Sequence, residues 1–358
     1  MAGVFPSVAR GLHCIYRVNR GGKSLALACI AKPALPVKSS VSIETPKLRT
    51  TLRGHEGIVN AATFSSNGRL LITSGSALPV QGRRGKTGET LIWDIENESL
   101  AATLGWHRQA VLCAAVSLDG ETLATGSRDQ TVAIWSIGRG LWDTVVGVCE
   151  QSLHGHQGAV TTLAFSPDGG LLATGDDQAI RLWDTTQWRQ VATLAAAEQA
   201  TSQLAFSPDG RFLAAAWRSR VPAVIWDVAS REEAFKLRLR SEECVESRGL
   251  AFSPDGRKLA VLGADDVRVW DVSTCQVLTE FAAKGTEALA YSPQIDCLAT
   301  GGWDAVTHAA IRLWDAGTGM ERAHLQGHNL PVTAVAFAPS GKMLASVGRD
   351  ALVNLWEF

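Results

Sequence analysis

Three groups of four residues recur along the chain with the types that could do acid–base chemistry. They are His107, Thr125, Asp129 and Trp135; His156, Thr174, Asp177 and Trp183; and His328, Ser346, Asp350 and Trp356. Imidazole, hydroxyl and carboxylate are the parts of a hydrolase triad, in which the carboxylate orients the imidazole that takes the hydroxyl proton. Two features argue against catalysis. The group repeats, whereas an active site is usually single. Each copy also ends on an indole N–H, a buried donor that needs a partner of its own. The aspartate stands six residues before the tryptophan each time, in a turn where it can accept from the imidazole. These residues are expected to hold the fold.

Other chemistries fare no better. The seven cysteines are scattered and no two stand three apart, so the close-spaced pairs of zinc sites are missing. Gly21-Gly22-Lys23-Ser24 departs from a phosphate loop, because Arg17 stands where the motif needs glycine. His154 beside His156 is the nearest thing to a singular cluster, and His156 is already assigned. No cofactor, no metal and no catalytic residue are expected. A formal charge of −1 gives no electrostatic case for nucleic acid. No run of 18 apolar residues offers a membrane span.

The elements that carry these groups are set by a period. Trp93, Trp135, Trp183, Trp226, Trp270, Trp314 and Trp356 are separated by 42, 48, 43, 44, 44 and 42 residues, and five of them precede an aspartate. A histidine stands ahead of four of them: Gly54-His55, Trp106-His107, Gly155-His156 and Gly327-His328. Turn phrases keep phase, as Ser166-Pro167-Asp168-Gly169, Ser207-Pro208-Asp209-Gly210 and Ser253-Pro254-Asp255-Gly256. Proline presets φ and glycine accepts positive φ, so each reads as a hairpin turn. Short apolar stretches such as Leu171–Thr174 and Ile180–Trp183 flank them, giving a meander of short strands with no helical period.

Gly-His and Trp-Asp marks at this period resemble the WD-repeat family, over residues 45–358. The resemblance implies an all-β fold: a seven-bladed β-propeller of four-stranded antiparallel blades around a channel. It also implies that the histidine, Ser/Thr, aspartate and tryptophan form one hydrogen-bonded set per blade, and that the N-terminal strand, around Lys47–Leu52, completes the last blade. The blade sequences read as bacterial in type. Several units depart from the pattern. Unit 1 replaces its turn by Ala77–Glu89, and units 4, 5 and 6 lack Gly-His.

The resemblance further implies a scaffold that assembles other proteins or peptides, with a sensor or regulatory propeller beside a signalling enzyme as the alternative and a lyase or hydrolase after that. Irregular residues at the end of the ring shared by histidine and aspartate are the partner-binding candidates. They are Arg83, Arg84 and Lys86; Trp106, Arg108 and Arg128; Trp217, Arg218 and Arg220; Trp303; and Arg349. Arginine and tryptophan are enriched at binding hot spots. Residues 1–44, with six bases in 1–43 and no acid there, read as a flexible basic arm, or as an organelle leader. The expected molecule is a monomeric, cytoplasmic ring.

Overall fold

The computed structural model describes residues 45–77, 87–139, 145–194, 201–219, 223–237, 245–304 and 308–358. The expected basic arm lies outside them. Among the described residues every element is a strand, beginning with β1 (Lys47–Arg53). Blade 1 is β2–β5 (Val59–Phe64, Leu70–Ser76, Gly88–Asp94, Ser99–Leu104). Blade 2 is β6–β9 (Val111–Val116, Thr122–Ser127, Val132–Arg139, Val145–Leu153). Blade 3 is β10–β13 (Thr162–Phe165, Leu171–Gly175, Ile180–Asp184, Arg189–Leu194). Blade 4 is β14–β17 (Thr201–Phe206, Phe212–Ser219, Ala223–Asp227, Glu232–Leu237), and β18 (Val245–Glu246) pairs with the end of β15. Blade 5 is β19–β22 (Gly249–Phe252, Lys258–Leu262, Asp266–Asp271, Gln276–Ala282). Blade 6 is β23–β26 (Thr286–Tyr291, Cys297–Asp304, His308–Asp315, Glu321–Gln326). Blade 7 is β27–β29 (Val332–Phe337, Met343–Gly348, Leu352–Glu357), with β1 as its outer strand in the order β1-β29-β28-β27.

The turn phrases behave as their residues dictate. In blade 3 the Gly169 N–H donates to the Ser166 carbonyl at 2.9 Å, and Gly169 sits at φ +73°, where a side chain would be strained. The meander therefore puts this turn and the one following each tryptophan at one end of the ring, the lower. The turn between the second and third strands lies at the upper end.

Each blade carries a bulge opposite its tryptophan. The pairing slips between Ile92 and Trp93, Ile134 and Trp135, Leu182 and Trp183, Ile225 and Trp226, Val269 and Trp270, and Leu313 and Trp314. In blade 7 the same slip falls between Leu48 and Thr50, with Leu48 facing Trp356. The N-terminal strand thus does for blade 7 what the chain's own fourth strand does for the other six. A bulge adds one residue to the outer strand and increases local twist, as wedge-shaped sheets around an axis require.

Apolar burial is divided among seven clusters, one at every blade boundary. The cluster joining blades 7 and 1 holds Leu52, Val347 and Val353 against Val59, Leu71 and Trp93. An open row of seven blades has six boundaries. Seven boundaries make a closed ring.

Candidate functional site

Four blades contain the polar set complete. In blade 2, Trp135 Nε1 donates to Thr125 Oγ1 at 2.9 Å, Thr125 Oγ1 lies 2.9 Å from His107 Nε2, and His107 Nδ1 lies 3.1 Å from Asp129 Oδ2. Blade 7 repeats this with Trp356, Ser346, His328 and Asp350 at 2.9, 2.9 and 3.0 Å. A hydroxyl has one proton to give, and the indole N–H can only donate. The hydroxyl can accept from tryptophan and donate to Nε2, an arrangement that leaves Nδ1–H for the carboxylate. That arrangement fits a neutral imidazole, and burial indeed holds His107 below the usual imidazole value against the pull of Asp129.

Blade 3 corrects one expectation. His156 Nδ1 meets Asp176 at 2.8 Å, not Asp177, which is exposed. The hairpin is one residue shorter here, with nine residues from Thr174 to Trp183 against ten from Thr125 to Trp135. Contact with the histidine is what is kept, and the spacing to the tryptophan gives way. Asp176 is fully buried and also accepts from Arg181 Nη1 at 2.7 Å. Burial drives its carboxyl upward, but the hydrogen bonds from His156, Ala179 N–H and Gln178 N–H more than offset this and hold it well below the usual range. Blade 1 supplies a set the sequence reading left incomplete. His55 Nε2 lies 2.6 Å from Thr73 Oγ1, and its Nδ1 lies 2.7 Å from Glu89, which takes the place of the aspartate.

The other blades keep less. In blade 6, Trp314 Nε1 donates to Thr300 Oγ1 at 2.8 Å. In blade 5 the hydroxyl position is Val261, and Trp270 Nε1 is buried without a partner. In blade 4 it is Ala215, and Trp217 occupies the place that Asp176 has in blade 3. Trp217 is therefore not a surface anchor. It is 5% exposed, with its ring edge-on to Trp226 at 5.5 Å. Apolar packing here replaces the polar set.

The remaining partner candidates scatter. Arg108, Arg128 and Arg349 are exposed, Trp303 is 36% exposed on the hairpin of blade 6, and Trp106 is half-buried with its ring against His107. Arg83, Arg84, Lys86 and Arg220 lie outside the described residues, as does the side chain of Arg218.

At the same upper end the channel opens into a cavity of about 570 Å³. The innermost strands meet there through a belt of hydrogen bonds from one blade to the next. Asn60 Nδ2 donates to Val111 O at 2.8 Å, Thr161 Oγ1 to Thr201 O at 2.6 Å, and Ser202 Oγ to Ser247 O at 2.7 Å. Arg248 Nη1 donates to Thr286 O at 3.5 Å, and Thr333 Oγ1 closes the circle on Val59 O. Blade 2 has Leu112 at this position, and Cys113 Sγ serves instead, 3.5 Å from Val160 O. Blade 6 has Glu287, which cannot donate. Arg349 of blade 7 reaches back to it, with Nη2 at 3.2 Å from both carboxylate oxygens. Among the described residues that line the mouth, the charged ones are Arg248, Glu287 and Arg349.

Against the families of known proteins, the model described as "WD domain, G-beta repeat" matches residues 46–77, 98–136, 147–184 and 319–357. These matches end on or lead into blades 1, 2, 3 and 7, the four that hold complete polar sets. The chain is a WD-repeat β-propeller. Three matches begin just before or within the outer strand of the preceding blade, and the first takes in β1, so the repeat in sequence is offset by one strand from the blade in space. The chain is 26% identical over 277 residues to Periodic tryptophan protein 2 of Arabidopsis thaliana, covering 76% of this chain and 25% of that protein. It is 28% identical over 326 residues to Nuclear distribution protein PAC1 of Arthroderma otae, covering 88% and 52%. A match to human Apoptotic protease-activating factor 1 is 33% identical over 126 residues, covering 35% and 9%. The WD-repeat chain therefore spans about half or less of the length of these curated relatives. All three are eukaryotic, and they lend the expected bacterial type no support.

Proposed function

We propose that this WD-repeat ring is a non-catalytic, cytoplasmic scaffold that holds other proteins or peptides on its upper end, around the channel mouth. One observation carries the reading. The triad-like groups are hydrogen-bonded to one another inside their own blades, while the mouth beside them presents Arg248, Glu287 and Arg349, and the blade 6 hairpin at the same end presents the exposed Trp303. Among the described residues, no three His, Cys, Asp or Glu side chains gather as a metal site would need. A regulatory propeller beside a signalling enzyme is the second reading, favoured by the match to a relative named as a protease-activating factor.

The test is crosslinking of captured partners, read by position on the ring. Crosslinks are expected at Lys284, on the upper end, and are expected to disappear in a Trp303→Ala, Arg349→Ala double variant whose melting temperature is unchanged. Crosslinks confined to Lys258 and Lys342, at the lower turns, would overturn the choice of face.

A further inference from the structure

Blades 2 and 7 place an arginine at the same point, one residue before the aspartate of the polar set: Arg128 before Asp129, and Arg349 before Asp350. In blade 7 this arginine is neutralised by Glu287 on the innermost strand of the preceding blade. The residue matching Glu287 in blade 1 is Asn60, since both stand at the register slip two positions before the residue facing the threonine of the second strand. Asn60 is uncharged, and its amide is already given to Val111 O. The ring's own solution for this position is therefore missing in blade 2.

The deficit is doubled by Arg108. Its backbone N–H donates to Asp129 Oδ2 at 2.8 Å, and the Arg128 N–H donates to Ala110 O at 3.0 Å, so the two chain segments lie side by side on the rim. Both side chains are exposed, and among the described residues neither guanidinium has an ion-pair partner. Asp129, the acid between them, is spent on His107 Nδ1, Arg108 N–H and the Thr131 hydroxyl. The foot of the inserted loop of blade 1 is pinned here, with Thr87 Oγ1 donating to Arg108 O at 3.1 Å, and residues 78–86 bring three bases and no acid in sequence.

We propose that Arg108 and Arg128 form a docking site for carboxylates on an acidic segment of a protein partner. The inference rests on the reading that the upper end receives partners, and narrows it to a second point, away from the channel mouth. A guanidinium presents paired N–H donors whose fork matches a carboxylate, and two such forks carried on adjacent chain segments fit two acidic side chains of an extended peptide. Protein is favoured over nucleic acid as the source of charge, because a chain of net charge −1 offers a polyanion little long-range attraction.

The experiment titrates the full chain into a labelled peptide of alternating glutamate and glycine and follows fluorescence anisotropy. The glutamate peptide is expected to bind, to weaken with added salt, and to lose about tenfold in affinity in an Arg108→Gln, Arg128→Gln double variant of unchanged melting temperature. A glutamine–glycine peptide is expected not to bind. The Trp303→Ala, Arg349→Ala variant is expected to keep the glutamate peptide, so a failure of the channel-mouth reading leaves this signal intact. No binding of the glutamate peptide, equal affinity for the glutamine peptide, or equal affinity in the Arg108/Arg128 variant overturns the proposal. A labelled single-stranded oligonucleotide that binds more tightly and is lost in the same variant also overturns it, in favour of nucleic acid.

Discussion

At the scale of single residues, one hydroxyl decides how each blade spends its polar groups. Thr174 accepts from Trp183 and lies 2.9 Å from His156 Nε2, and the carboxylate that completes the set is the one within reach of Nδ1, at 2.8 Å. Counting along the chain chose Asp177, and the shorter hairpin of blade 3 gives the place to Asp176. The two are separable by stability. Asp176→Asn should cost about 3–5 kcal/mol, because it leaves the buried Arg181 without its counter-charge. Asp177→Asn, on an exposed turn residue, should stay within about 0.5 kcal/mol. Denaturant midpoints of the two variants decide it. Blade 5 offers the converse change. Val261→Thr puts an acceptor beside the unpartnered Trp270 Nε1 and should raise stability by about 1 kcal/mol, whereas Val269→Thr, a buried position facing no such indole, should lower it. Equal losses at the two sites would show that the indole gains nothing.

The same residues set the response to acid. The folded-state values of Asp176 and His107 both lie below their ordinary ones, the first through hydrogen bonds and the second through burial. In each case the unfolded chain binds the proton more readily. His107 therefore contributes its full share above about pH 6.5 and loses it as pH falls toward its folded value, and Asp176 does the same below about pH 4. Thermal melts should show a flat optimum near neutrality and a decline on acidification, beginning below about pH 6.5. A melting temperature that rises between pH 7 and pH 5 would contradict this.

At the scale of elements, what could be read from sequence is what repeats locally. Turn phrases, the tryptophan period and alternating strands are local features, and the blades follow them from β2 to β29. What could not be read depends on partners across a sheet. Glu89 escaped because an insertion separates it from the usual aspartate position, and only the extended pairing of β3 with β4, through Gly75 and Glu89, brings it to His55. Its signal was present, since Glu89 is an acid four residues before the tryptophan. Trp217 looked like an irregular surface residue because sequence gives no sign that Ala215 and the absent histidine leave a space for an indole. The outer strand of blade 7 was readable because two incomplete units, at opposite ends of the repeat array, each lacked what the other had. Its bulge and the bond from Thr51 Oγ1 to Asn354 Oδ1 at 2.8 Å show how closely β1 copies an ordinary fourth strand. Deleting residues 45–52 removes Leu52 from the cluster between blades 7 and 1 and bares the edge of β29. Aggregated or unfolded protein is the expected product, while deletion of residues 1–40 should leave the melting temperature nearly unchanged. A soluble 53–358 chain with a cooperative melt would refute the role given to β1.

At the scale of the whole molecule, closure makes the blades equivalent in a way their sequences are not. Blades 4 and 5 lack polar sets, yet each lies between two apolar boundaries, as every member of a ring does. An open array would fray from its ends, and a ring has none. The position of the seam should then be a matter of connectivity, not of any property special to blade 7. Lys47 and Glu357 face each other in register, so a short linker can join Phe358 to residue 45. New termini cut in the turn between Gln187 and Trp188 would make β13 the leading strand of the permuted chain, closing blade 3 as β1 closes blade 7. That permutant should give the same far-ultraviolet spectrum and one cooperative transition, within about 2–4 °C of the parent if closure costs no more than about 1 kcal/mol. Two separate transitions, or a soluble chain in which blade 3 is frayed by hydrogen exchange, would mean that the native seam carries strength the other boundaries lack, and the ring would then be an array locked at one point.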